Sequence, residues 1–143
     1  MIMSEIIAQA YSVGFLVTGI SHALHPGMWS KFFLEMRKSE TAPFTIGVLT
    51  LPIGLLIVLG HNIWRPDITI LITIFGWLMT FKSVVYLVFP ASFRKVTPDS
   101  LTTGTKGFRR IGLAMTVIGM ALVFRVFFLR TVQGYLTSSP LNQ

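Results

Sequence analysis

Apolar residues run almost unbroken near positions 6–24, 44–60, 68–89 and 111–129, and polar residues gather between these runs. Each run approaches the ~20 residues that a helix needs to cross about 30 Å of hydrocarbon. Together they take up most of the 143 residues. The pattern predicts an all-α polytopic membrane protein with four transmembrane helices in a single bundle, built as two tandem helical hairpins.

The segments between the runs add detail. Between the first and second spans, Met28, Phe32 and Met36, with Trp29 and Phe33, recur at helical spacing against Lys31, Glu35 and Lys38. This predicts a short amphipathic helix lying in the membrane interface, and a helix that docks on a partner would show the same pattern. The segment 90–110 carries Pro98, Gly104 and Gly107 and reads as an irregular, basic connector. In the short stretch GHNIWRPD, Gly60 suits a helix C-terminus and Pro66 the first turn of the next helix. Asp67 complements the positive end of that helix, and Trp64 belongs at headgroup level. Pro52, inside the second span, predicts a bend there.

The two halves of the chain resemble each other. GFLVTGIS at 14–21 aligns with GWLMTFKS at 76–83, Pro26 with Pro90, and IGVLTLPIG at 46–54 with IGLAMTVIG at 111–119. Apolar helices draw on a small alphabet, yet three matches in one order point to duplication of a two-helix hairpin. Repeat 1 covers about 6–60 and repeat 2 about 68–129, which predicts a pseudo-twofold axis along the membrane normal. The matched positions also predict helix packing. Gly14, Thr18, Ser21 and His25 share one face, as do Thr73, Gly76, Thr80 and Ser83, while Gly47 with Gly54 and Gly112 with Gly119 line seams.

Composition supports the membrane assignment: 52% of residues are hydrophobic, 12% are charged, and mean hydropathy is +0.71. Soluble domains carry roughly 25% charge. Lys31, Arg37, Lys38, Arg94, Lys95, Lys106, Arg109 and Arg110 fall in the two connectors on one side, and Arg65, Arg125 and Arg130 on the other. The positive-inside rule therefore predicts that the first side is cytoplasmic and that both termini face the outer side. The first span lacks the basic start, short apolar stretch and cleavage site of a signal peptide, and is expected to stay. The net charge of +7 flanks apolar helices and suits anionic headgroups rather than nucleic acid. With no cysteine, disulfides, iron–sulfur clusters and thiol chemistry are excluded.

Little polar chemistry remains. Lys82 lies inside the third span, about 140° round the helix from the Thr73, Gly76, Thr80 and Ser83 face and on the side of Leu71, Leu78, Tyr86 and Phe89. A lysine at the bilayer centre costs at least about 2.5 kcal/mol. Snorkelling to headgroups or pairing with a neighbouring subunit is the favoured reading, and Lys82 with Tyr86 is otherwise a candidate site for an anionic lipid or ligand. All five acids, Glu5, Glu35, Glu40, Asp67 and Asp99, sit near span ends or in connectors, so a proton or cation relay has little to work with. His22 and His25 end the first span and His61 the second, a membrane apart, which excludes one haem held by both ends. His25 or His22 alone is a candidate pigment ligand, and a hydrogen-bonded interfacial histidine is the plainer reading. Ser21 with His25 is the only nucleophile–base pair in one span, and lacks an acid; it reads as packing. His61, Asn62, Trp64 and Asp67 form a candidate site in the outer turn.

From His61 to Pro90 the chain resembles a family of small bacterial integral membrane proteins of four predicted helices, through His61, Asn62, Trp64, Asp67, Thr73, Gly76, Trp77, Lys82, Phe89 and Pro90. The family pattern has an aromatic after the aspartate and a glycine after the lysine, where this chain has Ile68 and Ser83. The resemblance implies a bacterial inner-membrane protein and carries over no substrate or mechanism.

The expected function is that of a non-enzymatic structural or accessory subunit, packing against other membrane proteins at the edge of an energy-transducing complex or against copies of itself, in contact with membrane lipids and without metal, cofactor or nucleic acid. The alternatives are a binding or carrier protein for an anionic lipid, quinone or other amphiphile, and a pigment-binding subunit.

Overall fold

The structure, a computed structural model, describes residues 2–90 and 104–128. It is all-helical there: α1 (Ile2–Leu24), α2 (Pro26–Lys38), α3 (Ala42–Gly60), α4 (Ile70–Val88) and α5 (Thr105–Val123), the last continuing into a π-type turn at Phe124–Phe128. Four helices are long and apolar enough to cross a membrane: Met3–Leu24, Ala42–Gly60, Ile70–Val88 and Thr105–Phe128. Most of the segment expected to be an irregular basic connector, including Arg94, Lys95, Pro98 and Asp99, lies outside the described residues, as does Arg130.

Sequence explains the helix borders. Pro26 opens α2 and Pro43 falls in the first turn of α3, where a missing N–H costs nothing. At the far end of α3, His61 N–H bonds to the Ile57 carbonyl, and the chain then runs without helix to the first turn of α4, where Ile70 N–H bonds to the Asp67 carbonyl. α3 passes through Pro52 as one continuous helix, with Pro52 itself exposed.

The hairpins in sequence are not the packing units. α1 packs on α5 along its length, and α3 on α4. The cause lies in the links. α2, about 20 Å long at 1.5 Å per residue, holds the ends of α1 and α3 apart, while nine residues, 61–69, keep α3 beside α4.

Glycines set both close approaches. A Cβ at Gly54 would stand 2.8 Å from the Thr80 amide nitrogen, and one at Gly47 3.1 Å from the Ser83 carbonyl oxygen, so α3 rides on the α4 backbone. Likewise a Cβ at Gly119 would lie 2.7 Å from Leu16 Cα, Gly112 abuts His22 and Ala23, and Gly19 abuts Met115 and Thr116. Where lipid offers no hydrophobic drive between helices, such approach supplies dispersion contact. Thr50 and Ser83 add one hydroxyl pair across the α3–α4 seam at 2.6 Å. Each of the matched glycine pairs, 47 with 54 and 112 with 119, thus meets the first spanning helix of the other half.

The two helix pairs are joined at both ends of the bundle. At the end formed by residues 61–69, here the connector end, Ile7, Ala8, Ile57, Ile72, Leu122 and Val126 form a buried cluster drawn from all four spans. Tyr11 stacks against Phe75 with ring centroids at 6.2 Å, and Phe15 packs on it tilted, at 5.0 Å. At the opposite end α2 acts as a strut. Its Met36 packs with Tyr86 of α4, and Phe33 adds to that cluster while stacking on Phe108 of α5 at 5.5 Å. Met28 and Phe32 of α2 stay exposed, as suits a helix lying in an interface.

The sequence-assigned packing face of α1 needs correction. The buried face carries Ala8, Ser12, Gly19 and His22. Gly14 is exposed, and a Cβ added there would meet nothing within 4 Å, so among the described residues Gly14 packs no helix. Thr18 is half-buried with its hydroxyl turned to the Gly14 carbonyl at 2.8 Å, and Ser21 accepts a hydrogen bond from Trp29 Nε1 at 3.0 Å. Small residues lie on both sides of α1, and the face that approaches α5 is the neighbouring one.

Candidate functional site

Polar side chains of the bundle converge at the connector end. There Ser4 and Glu5 from α1, His61, Arg65 and Asp67 from the connector and Arg125 from the π turn line a cleft of about 490 Å³, walled by Ala8, Ile63 and Val126. Two contacts tie the helix pairs across it. The Asp67 carboxylate accepts from Arg125 at 2.5 Å, with both side chains about one quarter to one third exposed. His61 Nδ1 lies 2.8 Å from Ser4 Oγ and 3.1 Å from the Ser4 carbonyl oxygen.

His61 is 3% exposed and held from behind by Thr73. The Thr73 hydroxyl sits 2.9 Å from the His61 carbonyl and 3.1 Å from that of Ile63, and accepts the Ile63 N–H at 3.1 Å. Thr73, expected to pack helices, therefore also clamps the connector backbone that positions the histidine. Gly76 and Thr80 further along α4 keep the packing role, Gly76 against Ile57 and Thr80 against Gly54.

A carbonyl oxygen can only accept, so the contact to Ser4 suits an Nδ1–H donor, and in the neutral ring with that tautomer Nε2 presents a lone pair. Nε2 is enclosed and has no hydrogen-bond partner among the described residues. Asp67, beyond its ion pair, opens the turn that leads into α4: its backbone carbonyl accepts from Ile70 N–H at 2.9 Å.

The outer-turn residues named from sequence divide into two groups. His61 and Asp67 share the cleft. Asn62 and Trp64 are exposed beside it, and Asn62 Oδ1 accepts from Trp64 Nε1 at 2.8 Å and Trp77 Nε1 at 3.3 Å. Ser4 and Arg125 escaped sequence reasoning. They lie 57 and 58 positions from their partners, so no local spacing announces them, although Arg125 and Asp67 are charges at ends of spans on one side.

Lys82 lies elsewhere, on the half of α4 toward α2. It is exposed, with Nζ 5.5 Å from the centre of the Tyr86 ring, a cation–π distance. Lys82 is seven residues on from Phe75 and four before Tyr86, so it falls within about 20° of the stripe by which α4 meets α1 and α2. The histidines near α2 do not form a pair either. His22 is buried, its Nδ1 donates to the Thr18 carbonyl at 2.8 Å, and its ring stacks on Trp29 at 3.7 Å. His25 is exposed at the start of α2, beside an apolar hollow of Ser21, Met28, Trp29 and Phe32. No group of three or more metal-ligating side chains stands together among the described residues.

These features define a helical membrane protein with a charge-balanced polar cleft at one end of its bundle. Compared with known protein families, with curated proteins and with solved structures, the chain matches none.

Proposed function

We propose that this chain is a non-enzymatic subunit of a bacterial inner membrane, with its α2 end cytoplasmic and both termini outside, acting by packing against other membrane proteins. The orientation rests on Lys31, Arg37, Lys38, Lys106, Arg109 and Arg110 at the α2 end against Arg65 and Arg125 at the other.

Gly14 carries the packing reading. A glycine inside a helix costs about 1 kcal/mol relative to alanine. Gly19, Gly47, Gly54, Gly76, Gly112 and Gly119 offset that cost with close approach to another helix, whereas among the described residues nothing meets Gly14 in mid-span, nor Gly27 and Gly107 in the first turns of α2 and α5. A neighbouring protein seated against α1 there would use it. Gly14→Leu should leave the isolated protein as stable as wild type yet remove a partner, or a second copy, that is recovered after mild extraction at native expression. Recovery of the same partners with Gly14→Leu, or of a lone monomer from the wild type, would refute this.

Lys82 supports a second reading, as a binding protein for an anionic amphiphile. Helices α1 and α4 run parallel with Tyr11 beside Phe75, so Lys82 stands at the level of Thr18. Gly14 lies about 60° round α1 from Tyr11, on the same seam. An amphiphile with its anionic head at Lys82 and its tail rising past Gly14 fits that geometry. Lys82→Met then lowers the amount of copurified lipid with the fold unchanged; equal retention discards it.

A further inference from the structure

The cleft at the connector end contains a polar atom that the fold leaves without use. His61 Nε2 is buried, lacks a partner among the described residues, and belongs to a ring whose other nitrogen is fixed by Ser4. A buried acceptor left unpaired is costly, and native proteins seldom retain one without a water, ion or ligand. We propose that this cleft binds a neutral, hydroxyl-bearing molecule, whose hydroxyl donates to His61 Nε2.

Charge narrows the ligand class. The lining holds two acids, Glu5 and Asp67, and two guanidinium groups, Arg65 and Arg125, and is formally neutral with His61 uncharged. Asp67 and Arg125 already satisfy each other. An anion would meet the Nε2 lone pair, and a divalent cation would find no cluster of three ligating side chains among the described residues. A hydroxyl is the complement of a lone pair. Ala8, Ile63 and Val126 offer apolar wall to the body of the ligand, while Arg65 at the rim can donate to its other oxygens. Two neutral membrane molecules supply this chemistry: the free hydroxyl of a diacylglycerol and the reduced ring of a quinol. Neither involves Lys82, at the opposite end of the bundle.

The test uses the full chain in phosphatidylcholine nanodiscs, with ¹⁵N-labelled histidine. Free protein should show His61 as the Nδ1–H tautomer with an unprotonated Nε2. Titration with a short-chain diacylglycerol, or with a short-chain benzoquinol, should move the Nε2 resonance in the direction of hydrogen-bond acceptance, and the probe that moves it identifies the source. His61→Asn keeps a donor at the Nδ1 position for the Ser4 carbonyl and removes Nε2. It should weaken binding at least about tenfold, a change of 1.4 kcal/mol, without altering helicity. A protonated Nε2 in the free protein, a resonance that neither probe moves, or equal affinity in His61→Asn would overturn the proposal; the titration of the wild type decides the matter even where the variant does not fold.

Discussion

Two glycines of α1, five residues apart, make opposite predictions. Gly19 sits where a Cβ would stand 2.7 Å from the Thr116 amide nitrogen and 2.8 Å from the Met115 carbonyl carbon. Those are backbone atoms of α5 and cannot rotate aside. Ordinary contact begins at 3.4 Å, so Gly19→Ala must push α1 and α5 apart by the difference, 0.7 Å. Such overpacking costs about 1–3 kcal/mol, against roughly 1 kcal/mol gained when alanine replaces glycine in a helix. The net effect is a loss of about 0–2 kcal/mol. Gly14→Ala has the same gain and meets nothing within 4 Å, so it should stabilise by up to about 1 kcal/mol. Reversible unfolding of the purified monomer in mixed detergent micelles, followed by circular dichroism, compares the two. The assignment of the α1–α5 seam fails if Gly19→Ala is stabilised as much as Gly14→Ala, or if Gly14→Ala is itself destabilised.

Two further changes probe the connector end. Thr73→Val keeps the shape of a fully buried side chain and strips the hydroxyl from two carbonyls and one N–H; it should cost about 1–3 kcal/mol and speed hydrogen exchange at the Ile63 amide more than at amides of α2. A double-mutant cycle with Asp67→Asn and Arg125→Gln should give a coupling of about 0.5–1 kcal/mol that shrinks as salt rises, since both partners are partly exposed. A coupling of zero at low salt would show that the pair does not hold α4 to α5.

How much of this was legible in the sequence depends on which physical signal each feature carries. The four spans and the interfacial helix were, because a run of apolar residues as long as the bilayer is thick, and a stripe such as Phe33 and Met36 against Lys31 and Lys38, are strong local patterns. The orientation of each helix about its own axis was legible for α4, whose Gly76, Thr80 and Ser83 do meet α3, and not for α1. In water the buried face of a helix is the apolar one. In lipid both faces are apolar, so only small residues mark a seam, and α1 has two such rows: Gly14, Thr18 and Ser21 beside Ala8, Ser12 and Gly19. The cleft was half legible. His61 and Asp67 stood out as polar residues between two spans, whereas Ser4 and Arg125 join them only through the way α1 and α5 fold back to the connector end.

The pairing of α1 with α5 and of α3 with α4 has a consequence for where this protein is open to its surroundings. Within each pair, glycine lets backbones touch along most of the span, and that interface is closed. Between the pairs the ties concentrate at the two ends: the Ser4–His61 and Asp67–Arg125 contacts with the stacked Tyr11, Phe15 and Phe75 at one, and the strut α2 on Tyr86 and Phe108 at the other. Lys82 lies on the stretch between those ties and Gly14 at the level of the Tyr11, Phe15 and Phe75 rings, one an exposed charge in a span and the other a glycine that meets nothing within 4 Å among the described residues. Both are costly in lipid unless something completes them, and they flank the same seam. Whether a partner helix or an amphiphile fills it, the occupant meets there a glycine and a charge that the described bundle leaves uncompleted, just as the connector end leaves His61 Nε2 uncompleted.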